Sequence, residues 1–145
     1  MAVEQVRVTK VAAAGVSPNR RRGGDIRVLL SPKTVGTTSG FMGVLTLAPG
    51  EHVSEHYHPY SEEFLYVVRG RLTMRVETDV VDLEPDDALA VPIGARHRLV
   101  NTSDEEALVV FHLAPLAPRP ELGHVDTEEP PQAGAPSPQV GGNSR

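Results

Sequence analysis

The sequence predicts an all-β domain, an antiparallel sandwich or barrel, on three observations. Short runs alternate apolar and polar residues at period two; Leu72, Met74 and Val76 alternate with Arg71, Thr73 and Arg75, so one face is buried and the other wet. Turn signals built from Gly, Pro and Asp separate these runs at short intervals. No stretch sustains the 3.6-residue period of an amphipathic helix. At 145 residues the chain has the length of one ordinary domain with its own core.

Residues 3–11 alternate over Val6 and Val8 and predict a first strand. The stretch 17–25, SPNRRRGGD, is turn chemistry. Residues 26–30 predict a second strand, stopped by Ser31-Pro32, and 43–48 a third, ended by Pro49-Gly50. Residues 52–58 alternate like a strand and stop at Pro59. Residues 63–69 and 71–77 read as a hairpin about Gly70, after which Thr78-Asp79 turns the chain into 80–83. Runs at 89–91, 96–100 and 108–113 complete the set. From Pro115 the composition changes. Leu122 and Val125 let 117–126 pack as an arm, so the domain is expected to span 1–126. The Pro/Gly/Ser-rich remainder, 127–145, has too little apolar surface to offset its ordering entropy and is expected to be disordered.

Composition narrows the function classes. There is no cysteine, which removes disulfides, thiolate ligands and a cysteine nucleophile. The net charge is −5, and Arg20-Arg21-Arg22, the one basic cluster, reads as a solvated loop, not a nucleic-acid footprint. No apolar run approaches the roughly 20 residues needed to span a bilayer. The first residues, MAVEQVRVTK, lack the order of a secretory signal, so a cytoplasmic location is expected.

The chemistry concentrates between Gly50 and Asn101. His56 and His58 sit two apart in a strand-like segment, which sends both side chains to one face. Glu63 returns at the start of the following strand, and His97 follows the Pro92-Ile93-Gly94 turn. These groups can converge on one divalent cation; neutral imidazole suits Zn, Fe, Ni, Cu and Mn alike. Two further histidines could complete the shell if Glu63 does not. His52 lies about 13 Å from His56 along an extended strand, too far without a bulge. His112 lies in the apolar run LVVFHLA, where a histidine needs a polar reason to be buried. Tyr57 faces away from the ligands, Tyr60 and Tyr66 read as framework, and Phe64, Met74 and Phe111 can wall an apolar cavity.

Gly50, His56, His58, Glu63 and Gly70, followed by Pro92, Gly94, His97 and Asn101, resemble the two motifs of the cupin superfamily. Asp86 stands where the second motif usually opens with glycine. The longer strings EHYHPYSEEFLYVVRG, VPIGARHRLVN and LAPRPELGHVDTEE resemble the single-domain cupin cyclases of bacterial aromatic polyketide pathways, the tetracenomycin and spore-pigment types. That likeness runs from about Gly43 to Glu128. It implies a cupin fold, a double-stranded β-helix or jelly-roll sandwich, and a homodimer. It also implies a metal held by His56, His58, Glu63 and His97 at the bottom of an apolar cavity, zinc being admissible because no redox step is needed. The substrate it implies is a poly-β-ketone, free or presented by an acyl carrier protein of a polyketide synthase. Glu63 or His112 is then the candidate base for aldol closure and dehydration. Two other readings use the same ligands: a cupin dioxygenase acting on an enolic or phenolic substrate, and a non-catalytic small-molecule binder.

Overall fold

Among the residues described by the computed structural model, 6–138 and 140, ten strands form two antiparallel sheets of five. One sheet is ordered β1 (Asp25–Leu30), β2 (Phe41–Leu47), β9 (Ala107–Ala114), β4 (Glu62–Arg69), β7 (Ala88–Val91). The other is ordered β10 (Val125–Asp126), β3 (His52–Tyr57), β8 (His97–Val100), β5 (Leu72–Val76), β6 (Asp79–Leu83). Alternation decides what each sheet turns inward. Leu45, Leu65, Val67, Val109 and Phe111 from the first sheet meet Val53, Leu72, Met74 and Leu99 from the second, all buried in one cluster. Each such side chain contributes on the order of 1.5–3 kcal/mol when fully removed from water.

Gly70 does not close a hairpin. β4 pairs with β7 and β9, whereas β5 pairs with β6 and β8, so Gly70 carries the chain from one sheet to the other. Its φ is +81°, and a Cβ there would lie 2.6 Å from Ala107 Cα, so both conformation and packing demand glycine. Period-two alternation says which face of a strand is apolar but not which sheet it joins. Asp86, the departure from the second motif, adopts a φ of +74°, the left-handed conformation that glycine would otherwise supply. Its amide donates to Val67 O at 2.8 Å and its carboxylate accepts from Tyr66 Oη.

The first expected strand does not form over residues 6–11, which lack strand pairing; residues 3–5 lie outside the described part. Val6 and Val8 are 73% and 93% exposed, because alternation makes a strand only where a sheet edge and a buried face are available. Ser31-Pro32, read as a break, instead opens a short helix, Pro32–Val35, with Ser31 and Thr34 forming a capping box.

Composition reads 127–145 as disordered, but 127–138 lie against the body of the domain. Thr127 N donates to Glu55 O at 3.0 Å, and Glu128 Oε1 accepts from Glu55 N at 2.6 Å and Arg98 Nε at 2.9 Å. Gln132 N donates to Arg21 O at 3.0 Å, and Asn19 Nδ2 to Pro136 O at 2.9 Å. These partners are distant in sequence, and local composition carries no signal of them. Residues 139 and 141–145 lie outside the described part. No helix among the described residues is long and apolar enough to cross a membrane.

Candidate metal centre

The site begins with an irregularity in β3. Val53 is opposite Leu99 and His56 opposite His97, so β3 uses three residues where β8 uses two. This β-bulge puts Val53 and His56 on the same inward face, which an unbroken pleat would forbid. It also reverses the parity of what precedes it. His52, opposite Val100, falls on the outer face of the sheet and away from His56. His58 follows β3 directly, its carbonyl accepting from Gly94 N at 2.9 Å. That links it to the turn that delivers His97, where Gly94 has φ +80° and Ala95 N donates to Pro92 O at 3.1 Å. Glu63 arrives from the opposite sheet, on β4 between Val91 and Leu113. Asn101 closes the motif structurally. Its Nδ2 donates to Leu47 O at 3.0 Å and to Glu105 O at 2.8 Å, while its backbone exchanges bonds with Gly50 and Glu51.

One ligand atom each from His56, His58, Glu63 and His97 lies within 4.8 Å of all the others. The three imidazoles are held in one orientation by backbone carbonyls. His56 Nδ1 donates to Ser54 O at 2.7 Å, His58 Nδ1 to Gly123 O at 3.0 Å and His97 Nδ1 to Ala95 O at 2.9 Å. A carbonyl only accepts, so each Nδ1 carries a proton and each ring turns its Nε2 toward the centre. Glu63 Oε1 sits 2.9 Å from His97 Nε2 and 3.5 Å from His58 Nε2. These approaches lie off the hydrogen-bonding direction, and all three atoms are buried without a hydrogen-bond partner.

Burial, with His97 and Arg22 nearby, holds the His56 imidazole well below its ordinary pKa and therefore neutral. Burial pushes the Glu63 carboxyl up, but its contacts with His58 and His97 outweigh this and hold it well below the usual carboxylate range. Burial likewise lowers His97, and the Glu63 carboxylate more than reverses it. A carboxylate and several lone pairs buried on one point call for a proton or a cation between them. The donor set fits a divalent metal ion: three imidazole nitrogens and a carboxylate oxygen, with a backbone carbonyl fixing each of the three rings.

The cluster borders a cavity of about 100 Å³ whose other walls include Phe41, Leu45, Met74, Phe111, Leu113 and Leu116. Met74 and Phe111 are therefore wall residues as expected, but Phe64 is not. It is 43% exposed and stacks on His112 on the outer face of the first sheet, ring centroids 6.0 Å apart. His112 is the main displacement from the sequence reading. Its neighbours Phe111 and Leu113 point inward, so the pleat turns His112 outward and exposes it, neither metal-bound nor in the core. The run LVVFHLA looks uniformly apolar because its outward Leu108 and Val110 are half-buried too.

Sequence reasoning missed three contributors. Arg22 is buried and lines the cavity, with Nε 3.4 Å from Asp126 Oδ1. His124, also on the wall, is pushed down to about 4 by burial, with Arg22 adding to the shift. Gly123 supplies the carbonyl that orients His58. The only available signal was the arm itself, which ends by pairing β10 with β3 at Val125–Tyr57 and Asp126–His56.

Comparison with known proteins gives concordant results. The sequence matches the family described as Cupin domain over residues 43–113. It is 56% identical over 128 residues to a protein named Polyketide synthase CurC from Streptomyces cyaneus, covering 88% of this chain and 83% of that one. It is 54% identical over 133 residues to the Tetracenomycin polyketide synthase protein TcmJ from Streptomyces glaucescens, covering 92% and 89%. Among solved structures, a protein with a double-stranded β-helix domain from Klebsiella pneumoniae superposes with a TM-score of 0.65 at 19% identity, covering 86% of this chain and 99% of that one.

Proposed function

The chain belongs to the cupin family, and on that premise we propose that it is a polyketide cyclase acting in aromatic polyketide biosynthesis. The reaction is aldol-type cyclisation and aromatisation of a poly-β-ketone. The observation that carries this reading is a four-donor cluster aimed at one point on the wall of an apolar cavity, in a chain whose relatives are named for polyketide synthases. A zinc ion held by His56, His58, Glu63 and His97 would supply Lewis acidity toward a ketone oxygen without any redox change.

The chain's own residues do the rest. The carbonyl-anchored imidazoles are preorganised, so the site does not rearrange as charge develops on the substrate. Phe41, Phe111 and Leu113 exclude water and force a long flexible chain to fold back on itself. The methylenes of a poly-β-ketone, flanked by two carbonyls, are already acidic. With His112 outside the cavity, the base falls to Glu63 in the arrangement where it does not ligate the ion; there it takes the methylene proton and returns it during dehydration.

The natural substrate is presented by an acyl carrier protein or released from it, and the working form is a homodimer. An exposed apolar strip on the outer face of the first sheet supports the dimer: Phe64, Tyr66 and Val68 are 42–43% exposed beside His112. The test is reconstitution with a minimal polyketide synthase, anaerobically and then in air. Equal cyclised product under both conditions, lost when His56 and His97 are replaced, supports the cyclase. Product formed only in air, with oxygen incorporated, replaces it with a dioxygenase.

A further inference from the structure

Arg22 is the cavity residue to which the cyclase reading gives no task. It belongs to the run Arg20-Arg21-Arg22, but the three side chains differ sharply: 47%, 20% and 8% exposed. The backbone around it is tightly fixed. Gly23, at φ +102°, passes so close to β3 that a Cβ would lie 1.9 Å from His52 O. The Arg22 carbonyl accepts from Ser54 N at 2.8 Å, on the same bulge that aims His56. Arg22 is thus built into the ligand-bearing strand, not draped over it.

Its side chain is committed to little else. Among the described residues the guanidinium makes one hydrogen bond, Nε to Asp126 Oδ1 at 3.4 Å, out of five N–H donors. Asp126 is also held by Arg21, Nη2 to Oδ2 at 3.3 Å, so anchoring the arm does not require a second arginine. Placing a cation beside a cation site is unfavourable unless an anion joins them. With Asp126 shared by Arg21, a divalent metal, Glu63 and Arg22 leave the cavity lining two positive charges in excess. A ligand bearing a negative charge reduces that excess.

Resting on the cyclase reading, we infer that Arg22 binds substrate directly, donating to an oxygen of a β-dicarbonyl in its enolate form. The pocket then selects the monoanion over its neutral counterpart. The enolate spreads its charge over two oxygens in one plane, which matches the planar fork of a guanidinium. The role requires no chemistry beyond the proton loss that an acidic methylene already undergoes.

The test is isothermal titration with two probes, 4-hydroxy-6-methyl-2-pyrone, an enolised β-dicarbonyl that is anionic at neutral pH, and its neutral 4-methoxy analogue. Wild-type protein is expected to prefer the anion by about ten- to a hundredfold, the range for a charge-assisted hydrogen bond. Arg22→Gln should reduce that preference to within about threefold while binding the methoxypyrone as before, its metal content unchanged; Arg22→Lys should fall between. The preference should also survive, weakened, after the metal is chelated. Equal binding of both probes by wild-type protein overturns the inference without any variant, so a misfolded Arg22→Gln leaves it testable. Full preference in Arg22→Gln, or its complete loss from wild-type protein on chelation, overturns it too. Arg22-dependent selectivity with no cyclised product in the reconstitution would remove the proposed reaction and leave this inference standing.

Discussion

Replacing Asp126 by alanine tests whether the arm is part of the site. The Asp126 carboxylate faces Arg21 Nη2 at 3.3 Å and Arg22 Nε at 3.4 Å, and its backbone pairs with His56 across β10 and β3. Breaking a buried ion pair by removing one partner costs about 3–5 kcal/mol, because the other charge is left buried and unpaired. Asp126 is 20% exposed and both contacts are long, so the lower end applies, about 3 kcal/mol. At roughly 2–4 °C per kcal/mol for a chain near this size, Tm should fall by about 6–12 °C. The assay is urea denaturation across a double-mutant cycle with Arg22→Met. The double variant should be milder than the sum of the singles by more than about 0.5 kcal/mol, the margin expected for independent sites. The same substitution should loosen the Gly123 carbonyl that orients His58, lowering metal affinity by about 10–100-fold. A cost for Asp126→Ala below about 1 kcal/mol, or plain additivity in the cycle, would refute the reasoning.

Other expectations follow from the same geometry. His58→Ala should lose the bound metal, and full occupancy by atomic emission in that variant would remove His58 from the ligand set. Chelation of metal-loaded protein should lower Tm by about 5–10 °C if the free ion had stood near a hundredfold its Kd, a linkage of about 2.7 kcal/mol. An unchanged melting curve would mean that no ion is bound at the cluster. His124 has a folded-state pKa of about 4, against 6.5 for the ordinary group. Between those values the unfolded chain binds the proton and the folded chain does not. Its contribution is therefore whole above pH 6.5 and falls away as pH drops toward 4. His124→Phe should flatten that part of the stability profile, read from urea midpoints at pH 7 and 5; an identical slope would contradict the assignment.

Much of this was legible in the sequence. The all-β class came from alternation and turns. His56, His58, Glu63 and His97 could be named because their spacing survives translation into space. What stayed hidden depends on information that local pattern does not hold. A bulge between Val53 and His56 changes the parity of a strand by one residue, and nothing in HVSEHYH announces it. The crossing at Gly70 is decided by which neighbours β4 and β5 find, not by their own residues. His112 looked buried because its outward flanks are apolar as well. Arg22 looked solvated because it stands in a run of three charges within turn chemistry, and only the partner more than a hundred residues away, Asp126, shows where it goes.

The candidate ligands do not all come from one side of the sandwich. His56 and His97 belong to one sheet and Glu63 to the other, so an ion held by them would fasten the two leaves together at the cavity. Like a rivet, such a fastening has a length, set by the radius of the ion and its preferred bond distances. A larger cation would hold the leaves farther apart than a small one, and the width of the gap decides how tightly a folded chain is pressed between the walls. Metal substitution in this protein would then act as a spacer as well as a change of Lewis acidity. On the proposed cyclase reading, two ions of equal charge but different radius should differ in which ring they favour, even where they bind equally well.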